Sequence, residues 1–397
     1  MRIAYVVSDL TFPPQEGLHE QTLLTAQLIG GTDRTVDIYG FVRRPEMLDL
    51  SAMEKATGLR FAAPPIPSRL PNLLLGLQNS LQPSRNASAL LDKLKHYDVI
   101  HLENLAACGL VRAHSAARTV AGVIDPGSLR WQRMKASATT LRGRASATAQ
   151  QALHTRLENR IAQPGVTIHV VSEPDALYLT SRVRRTDVVA IPVALALESG
   201  APLSSVPSKC EVIVFIDLRR EHLRQSFLWA AKTVLPALVQ KGGGDISIKV
   251  LGRIAADPEL FAATAALPLS FVPYVDDLAG ALQRAALVLV PDRTGTGLKN
   301  RVIQAMALGC PVAGTSVAFE GIPATDGAEA IIEEDGARLA TRSAALLRDE
   351  RARLAVGRAG AEFAVARYGR QANAQRWHQV YDRIAGRTLA PSTGGPE

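Results

Sequence analysis

The sequence predicts an α/β protein built from two Rossmann-like domains. Short runs of Val, Ile and Leu alternate with helix-type segments, which is typical of βα units and a parallel sheet. These runs form two series, separated by a segment rich in Pro, Gly and Ser at residues 194–207. A chain of 397 residues with 47% hydrophobic content is long enough to bury two cores of ordinary size.

The two series set the expected domain boundaries. We expect an N-terminal domain over 1–193, a linker over 194–207, a C-terminal domain over 208–370 and a frayed tail over 388–397. The strand-like runs of the first domain are Ile3–Val7, Thr35–Phe41, Asp98–Leu102, Thr119–Ile124, Thr167–Val171 and Val188–Pro192. Those of the second are Glu211–Ile216, Ser247–Leu251, Leu287–Val290, Pro311–Ala313 and Ala330–Ile332.

Composition is that of an intracellular enzyme. The three cysteines, Cys108, Cys210 and Cys310, have no paired spacing for zinc or a redox motif, so we expect free thiols in a reducing compartment. The chain enters a strand-like run at Ile3 without the apolar region of a signal peptide, and it lacks the roughly 18 consecutive apolar residues of a membrane span. We therefore expect a cytoplasmic protein.

The net charge of +8 has an uneven distribution along the chain. Between Arg130 and Arg160 there are seven basic residues and one acidic residue, Glu158, in a segment of helical composition with Gly143 as the breaker. A leucine-rich stretch, residues 71–81, lies upstream. Basic surface beside an amphipathic stretch favours peripheral contact with an anionic membrane, and a solvated helix face is the alternative. Nucleic acid is disfavoured as a partner, since aromatic residues make up only 5% of the chain.

One turn carries the strongest chemical signal. The apolar run Leu287–Val290 predicts a buried strand that ends at Pro291, and a helix pattern follows Arg301. Between them lie the turn Gly295-Thr296-Gly297 and then Lys299. A glycine turn before a helix N-terminus presents backbone N–H groups to an anion, and Lys299 would add charge. An ordinary βα turn, with glycines serving geometry only, is the alternative.

The residues around this turn resemble a known family. From Pro291 to Val312, Gly-Thr-Gly-Leu-Lys-Asn-Arg followed by Gln-Ala-Met-Ala-Leu-Gly-Cys-Pro-Val is similar to the donor-binding region of retaining glycosyltransferases of family four. The similarity extends to Phe271–Asp277 and Val250–Arg253 upstream and to Phe319–Ile322 downstream. It implies the GT-B fold, in which two Rossmann-like domains face each other across a cleft and a final helix, here 371–385, returns to the first domain.

The resemblance also implies an activity. Members of this family move a sugar, with retention, from a nucleotide diphosphate sugar to an acceptor, here a saccharide or lipid-linked saccharide of bacterial-type polysaccharide synthesis. Fixed cations stabilise the charge that grows on the leaving phosphate. By position these cations are Lys299 with Arg219 or Arg220, and Arg224 is a weaker candidate. No metal or other cofactor is implied, because the donor region has no D-x-D or carboxylate cluster.

Further site residues follow from the same resemblance. Asp125 follows a strand at its carboxyl end, where it would accept a proton or bind a sugar hydroxyl, or else merely cap a turn. Acceptor contacts are expected from His19 and Glu20, or from His101, which has Glu103 nearby. Donor contacts are expected from Gly17, Arg253, Gly295, Thr296, Gly297, Leu298, Lys299 and Gln304.

The chain departs from the family at two positions. Family members typically carry two glutamates eight positions apart, and here these positions hold Thr296 and Gln304. Loss of the first is common in the Gly-Thr-Gly-Leu-Lys branch. Loss of the second replaces a charge-assisted hydrogen bond to the ribose by a neutral one. This change favours the alternative that the chain is a catalytically silent subunit that binds nucleotide or a partner protein. A GT-B epimerase or phosphorylase is a further alternative, whereas a Rossmann oxidoreductase is disfavoured because no G-x-G-x-x-G follows the first strand.

Overall fold

A computed structural model describes residues 1–14, 17–31, 33–138, 140–183, 187–195, 210–243, 246–254, 257–295 and 297–389. The chain divides into two compact units, residues 1–194 with 370–397 and residues 195–369. Thr296, most of the expected linker over 194–207 and most of the expected tail over 388–397 lie outside the described residues.

The first unit contains a parallel sheet of seven described strands in the order β3-β2-β1-β4-β5-β6-β7. Residues of β1 alternate between two cores, since Ala4 and Val6 face one and Ile3, Tyr5 and Val7 face the other. Helices therefore cover both faces, as a parallel sheet requires. The strands are β1 (Arg2–Ser8), β2 (Thr35–Val42), β3 (Ile66–Pro67), β4 (Val99–Glu103), β5 (Thr119–Ile124), β6 (Thr167–Val170) and β7 (Asp187–Ala190).

The helices of the first unit include one that follows the second unit in sequence. This last helix, α16, packs Trp377, Tyr381 and Ile384 into the core beside Ile3, Tyr5 and Val7. The helices are α1 (Gly17–Ile29), α2 (Leu50–Thr57), α3 (Asn72–Leu81), α4 (Arg85–Leu94), α5 (Asn104–Cys108), α6 (Gly127–Ser137), α7 (Leu141–Ile161), α8 (Glu173–Arg182) and α16 (Arg370–Leu389), with short 3₁₀ turns at Pro45–Met47 and Ala113–Arg118.

The second unit has a parallel sheet of six described strands in the order β10-β9-β8-β11-β12-β13. The strands are β8 (Cys210–Phe215), β9 (Ile246–Leu251), β10 (Leu269–Val272), β11 (Leu287–Val290), β12 (Val312–Gly314) and β13 (Ile331–Ile332). The helices are α9 (Glu221–Thr233), α10 (Leu235–Gly242), α11 (Pro258–Thr264), α12 (Leu278–Gln283), α13 (Asn300–Ala307), α14 (Gly336–Arg348) and α15 (Glu350–Tyr368).

Both sheets have a Rossmann-like order, so the predicted fold class is confirmed. In each sheet the order reverses beside the unit's first strand, between β1 and β4 and between β8 and β11. Ligand sites in open α/β sheets form at the carboxyl ends of strands beside such a reversal. Two strands were not predicted, because β3 has only two residues and β10 is an incompletely buried edge strand between Pro268 and Pro273.

The basic segment over 130–160 differs from its prediction. It forms two packed helices, since α6 ends at Ser137 and α7 begins at Leu141, and Gly143 does not interrupt the second helix. Thr140 caps α7 by accepting a hydrogen bond from the Gly143 backbone N–H at 3.0 Å. Gly143 thus lies in the first turn of a helix, where a missing side chain does not interrupt the backbone hydrogen bonds.

Candidate functional site

The glycine turn of the second unit forms between strand β11 and helix α13. Gly295 has φ +139° and Gly297 has φ +74°, backbone conformations that suit glycine. Lys299 stands at the N-cap of α13 and is largely buried. Its Nζ donates to the Gly297 carbonyl at 2.7 Å and lies 3.6 Å from Glu320 Oε2. The lysine is therefore held at the turn, beside a helix N-terminus.

A buried carboxylate anchors the start of this turn. Asp292 lies two residues after the end of β11, is almost fully buried and forms an ion pair with Arg301 on α13. The Thr315 hydroxyl, after β12, donates to the Asp292 carbonyl oxygen. These contacts tie the glycine turn to the next strand and the next helix, so the turn is preorganised without a ligand.

Three of the predicted arginines share one aspartate after strand β8. Asp217 Oδ1 lies 3.1 Å from Arg219 Nε, and Asp217 Oδ2 lies 3.6 Å from Arg253 Nη2 and 4.0 Å from Arg220 Nε. Burial opposes ionisation of Asp217, but the hydrogen bonds from Arg219 and the charges of Arg219 and Arg253 hold its pKa below the usual value. At Gly252, before Arg253, a Cβ would lie 2.1 Å from the Ile216 carbonyl oxygen, so the two loops approach closely.

A histidine that sequence reasoning missed lies among these cations. His222 occupies the first turn of α9. Partial desolvation lowers its pKa, as do the charges of Arg220, Arg301 and Lys299, while Asp292 opposes the shift. These groups on α9 and α13 are therefore close enough to interact electrostatically with His222. The sequence signal was its position two residues after Arg220, at the start of a helix.

Two further predicted donor residues, Gln304 and Leu298, lie close to the glycine turn in sequence. Gln304 is half-buried on α13, and no described residue hydrogen-bonds its side chain; Leu298 is also half-buried. Arg224, the weaker candidate, pairs with Glu221, and its guanidinium also lies 2.8 Å from Asp257. In total, cations and two helix N-termini meet at the carboxyl edge of this sheet, an arrangement that binds a polyanion.

The carboxyl edge of the first unit's sheet concentrates unusual backbone geometry. Asp9 after β1, Asn104 after β4 and Ile124 at the end of β5 have φ values of +57°, +72° and +68°. Left-handed φ in residues other than glycine is costly and tends to occur at functional sites, and an isoleucine there is a clear outlier. Asp125 follows Ile124 directly and is half-buried. The structure therefore places the predicted catalytic aspartate at the strained end of β5.

A buried polar network holds the helix that follows Asp125. Glu158 on α7 accepts hydrogen bonds from the Ser128 backbone N–H at 3.0 Å and the Ser128 hydroxyl at 2.5 Å, at the start of α6. Arg182 donates to the Ser128 hydroxyl at 2.7 Å and lies 3.7 Å from Glu158. Burial raises the pKa of Glu158, although the bonds from Ser128 and the charge of Arg182 oppose this. The network fixes the N-terminus of α6.

The predicted acceptor residues occupy different environments. His19 on α1 is buried, and its Nδ1 lies 2.8 Å from the Thr11 hydroxyl. Gly17 and Glu20 are exposed in the first turn of α1, where partial desolvation raises the Glu20 pKa. The expectation that His101 contacts the acceptor is wrong. Its side chain is fully buried under α16, and its Nδ1 lies 2.6 Å from the Tyr381 hydroxyl. A side chain in the core cannot contact an acceptor.

Comparison with known families decides the enzyme class. Residues 211–349, which carry the glycine turn and the cations, match the family model for glycosyl transferases group 1. The chain is a glycosyltransferase. The expectation of an enzyme is thereby confirmed, and no curated protein matches the sequence.

The fold of this glycosyltransferase is that of solved GT-B structures. Sucrose-phosphate synthase from Thermosynechococcus elongatus superposes with a TM-score of 0.68 at 16% identity, over 97% of this chain and 99% of that one. Anabaena HepE, solved in complex with UDP, superposes with a TM-score of 0.67 at 14% identity, over 96% of this chain and 100% of that one. A putative UDP-N-acetylglucosamine 2-epimerase from Listeria monocytogenes superposes with a TM-score of 0.57 at 14% identity, over 100% of this chain and 99% of that one. The epimerase shares the fold, so the fold alone does not separate the two activities.

Proposed function

We propose that this glycosyltransferase belongs to family four and moves a sugar, with retention, from a nucleotide diphosphate sugar to a saccharide or lipid-linked saccharide. One observation carries the proposal: Lys299, Arg220, Arg301 and His222 converge at the N-termini of α9 and α13. A diphosphate is the ligand class whose charge matches this arrangement. Uridine is the preferred base for testing, because the related Anabaena structures contain UDP or UDP-glucose.

The same cations supply the catalysis that we propose. When the sugar–phosphate bond breaks, negative charge grows on the β-phosphate, and preorganised cations stabilise it. Lys299 is held beside the turn by Gly297 and Glu320, and Arg219 and Arg220 are held by Asp217. Because Lys299 is buried and held by protein contacts, this cation needs little reorganisation during the reaction. This supports transfer without a metal bridging the diphosphate.

Donor orientation is assigned to Gln304 and Arg253. Gln304 retains a carbonyl oxygen that can accept hydrogen bonds from the ribose hydroxyls, and its side chain is not engaged by any described residue. Arg253 projects from the loop after β9 and is more than half exposed, so it can approach the nucleotide base. The proposal therefore divides the donor between phosphate-binding and nucleoside-binding residues.

Asp125 is our proposed contact to the acceptor hydroxyl or to the donor sugar. It lies at the carboxyl end of β5, after a residue in a strained backbone conformation, and the Glu158–Ser128 network fixes the helix behind it. A carboxylate there can accept the proton that the acceptor hydroxyl loses late in the reaction. At the start of α1, Glu20 is the further candidate for contact with the acceptor, and Gly17 is the further candidate for contact with the donor.

We also propose a peripheral contact with anionic membrane. Within the described part of the chain, no helix is long and apolar enough to cross a bilayer. The leucine stretch 71–81 turns part of its apolar face inward, since Leu75 is buried, but Leu74 and Leu81 are exposed. Leu141 and Met134, near the α6–α7 connection, are exposed beside the basic residues Arg130, Arg133, Lys135, Arg142 and Arg144.

Calorimetric titration with UDP tests the donor site. We expect micromolar binding to the full chain, weakened in Lys299→Ala by about 1–3 kcal/mol because a charge-assisted contact is lost. Lys232→Ala is the matched control, since this exposed lysine pairs with Glu259 at the C-terminal end of α9. Equal weakening by both variants, or no binding of any nucleoside diphosphate, would contradict the proposed site.

A further inference from the structure

We propose that His101, Glu103 and His169 form a binding site for a divalent transition metal, zinc in the first instance, in the core of the first unit. Each side chain offers one ligand atom, and these atoms lie within 4.8 Å of one another. All three residues are buried, with exposed fractions of 0%, 4% and 4%. Two imidazoles and one carboxylate are a ligand set that zinc uses when a water fills the fourth position.

The sheet register creates the space for this cluster. His101 and Glu103 alternate on β4 and so share one face, and His169 lies on β6, two strands away. The strand between them, β5, places Gly122 opposite both Glu103 and His169. A Cβ on Gly122 would lie 2.2 Å from Glu103 Oε2 and 3.4 Å from His101 Nε2. Glycine weakens a strand interior, and here it leaves the room that the three ligands occupy.

Hydrogen bonds orient both imidazoles in the way that metal ligands require. His169 Nε2 lies 2.9 Å from the Ile191 carbonyl oxygen and must donate to it, so Nδ1 carries the lone pair. This Nδ1 is buried and has no hydrogen-bond partner among the described residues. His101 Nδ1 lies 2.6 Å from the Tyr381 hydroxyl, which leaves Nε2 directed to Glu103 at 2.9 Å. Ligating histidines commonly use their second nitrogen in this manner.

The geometry is compatible with a tetrahedral ion after small side-chain rotations. Bonds of about 2.0–2.1 Å place tetrahedral ligand atoms about 3.3 Å apart. His101 Nε2 and Glu103 Oε2 are slightly closer than this, at 2.9 Å. The other pairs of ligand atoms are at most 4.8 Å apart, so each of these distances must shorten by about 1.5 Å at most. Because His101 and His169 both pack against Trp377 of α16, with ring centroids 5.0 and 4.5 Å apart, the ion would join β4 and β6 beneath this helix.

The proposed metal is bound within the first unit and takes no part in the donor chemistry. Its ligands belong to the first unit and are buried, whereas the phosphate-binding cations belong to the second unit. A metal here therefore does not substitute for Lys299 in stabilising a leaving group. UDP binding by the second unit should therefore be the same with and without bound zinc.

Zinc content measured on the full chain tests this inference. Zinc-loaded protein is freed of excess metal by gel filtration for elemental analysis, and thermal unfolding is measured separately with free zinc present. We expect one zinc per chain and a rise of about 5 °C or more in Tm at a hundredfold excess over Kd. Glu103→Gln and His169→Gln should each weaken zinc binding by tenfold or more. His96→Gln and His114→Gln, which change exposed histidines, should not.

Cobalt supplies a readout that needs no variant. Wild-type protein loaded with Co²⁺ should develop the intense visible absorption of a four-coordinate site, and one equivalent of zinc should abolish it. Absence of a stoichiometric metal in the wild type would leave the cluster as a hydrogen-bonded part of the core and overturn the inference. The inference would also be overturned if the ligand variants retained zinc and the exposed-histidine controls lost it.

Discussion

His154 should make the first unit sensitive to acid. This histidine on α7 is buried, and a Cβ on Gly127 at the start of α6 would lie 1.9 Å from its Nδ1. Desolvation and then the charge of Arg130 lower its pKa from the ordinary 6.5 to about 4. The positive end of the α6 dipole acts in the same direction. Folding therefore requires the neutral imidazole.

The sign and size of the effect follow from proton linkage. Between pH 6.5 and about 4 the unfolded chain binds a proton at His154 that the native chain does not, so stability falls as the pH falls. The complete loss corresponds to about 3 kcal/mol, and the part lost between pH 7.5 and 5.0 is about 2 kcal/mol. Other groups titrate in the same range, so the effect must be measured as a difference between two proteins.

Urea unfolding of wild type and His154→Gln at pH 7.5 and 5.0 gives this difference. We expect the wild type to lose about 2 kcal/mol more than the variant between the two pH values. His114→Gln, at an exposed position, should behave as the wild type does. Equal pH sensitivity in wild type and His154→Gln would refute the reasoning and show that the imidazole is not held neutral by its surroundings.

Three further predictions concern donor, catalysis and membrane. Asp125→Ala should reduce kcat by about 10²-fold or more while UDP affinity changes little, and added Mg²⁺ should leave wild-type turnover unchanged. Full activity in the variant would move the site to Glu20. Gln304→Glu should bind UDP equally or more tightly in calorimetry, because a carboxylate is the stronger acceptor, and a large loss would show that the ribose is bound elsewhere. Wild-type protein should co-sediment with anionic vesicles at low salt. Less protein should co-sediment at 1 M salt, where the Debye length is about 3 Å, and less should co-sediment when Leu141 is replaced by Ser. Binding that does not depend on salt would indicate apolar insertion alone.

The donor turn was predictable from sequence because its parts are contiguous. Strand β11, the two glycines, Lys299 and helix α13 follow one another, and the glycine φ values agree with the role that the pattern assigns. The partners of these residues come from distant segments. Asp217 and Arg253 are 36 positions apart, and only the parallel register of β8 and β9 places their loops together. Sequence patterns do not contain this register.

The first unit shows the complementary difficulty. Strand alternation predicts that His101 and Glu103 share a face, but it does not state what covers that face. The covering residue, Tyr381, lies 280 positions later on α16. The leucine stretch of α3 was similarly ambiguous, because Gly76 packs against the Leu105 backbone and turns part of the apolar face into the core. Both cases depend on tertiary packing.

The return of α16 to the first unit has a consequence for synthesis of the chain. The core formed by β1 and α16 is complete only after the ribosome has made the intervening segment, Leu195–Gly369, of about 175 residues. At 5–20 residues per second this takes about 9–35 s. During that interval one apolar face of the seven-stranded sheet lacks Trp377, Tyr381 and Ile384. We expect the nascent first unit to need chaperone protection until its last helix emerges, although most of its residues are made first.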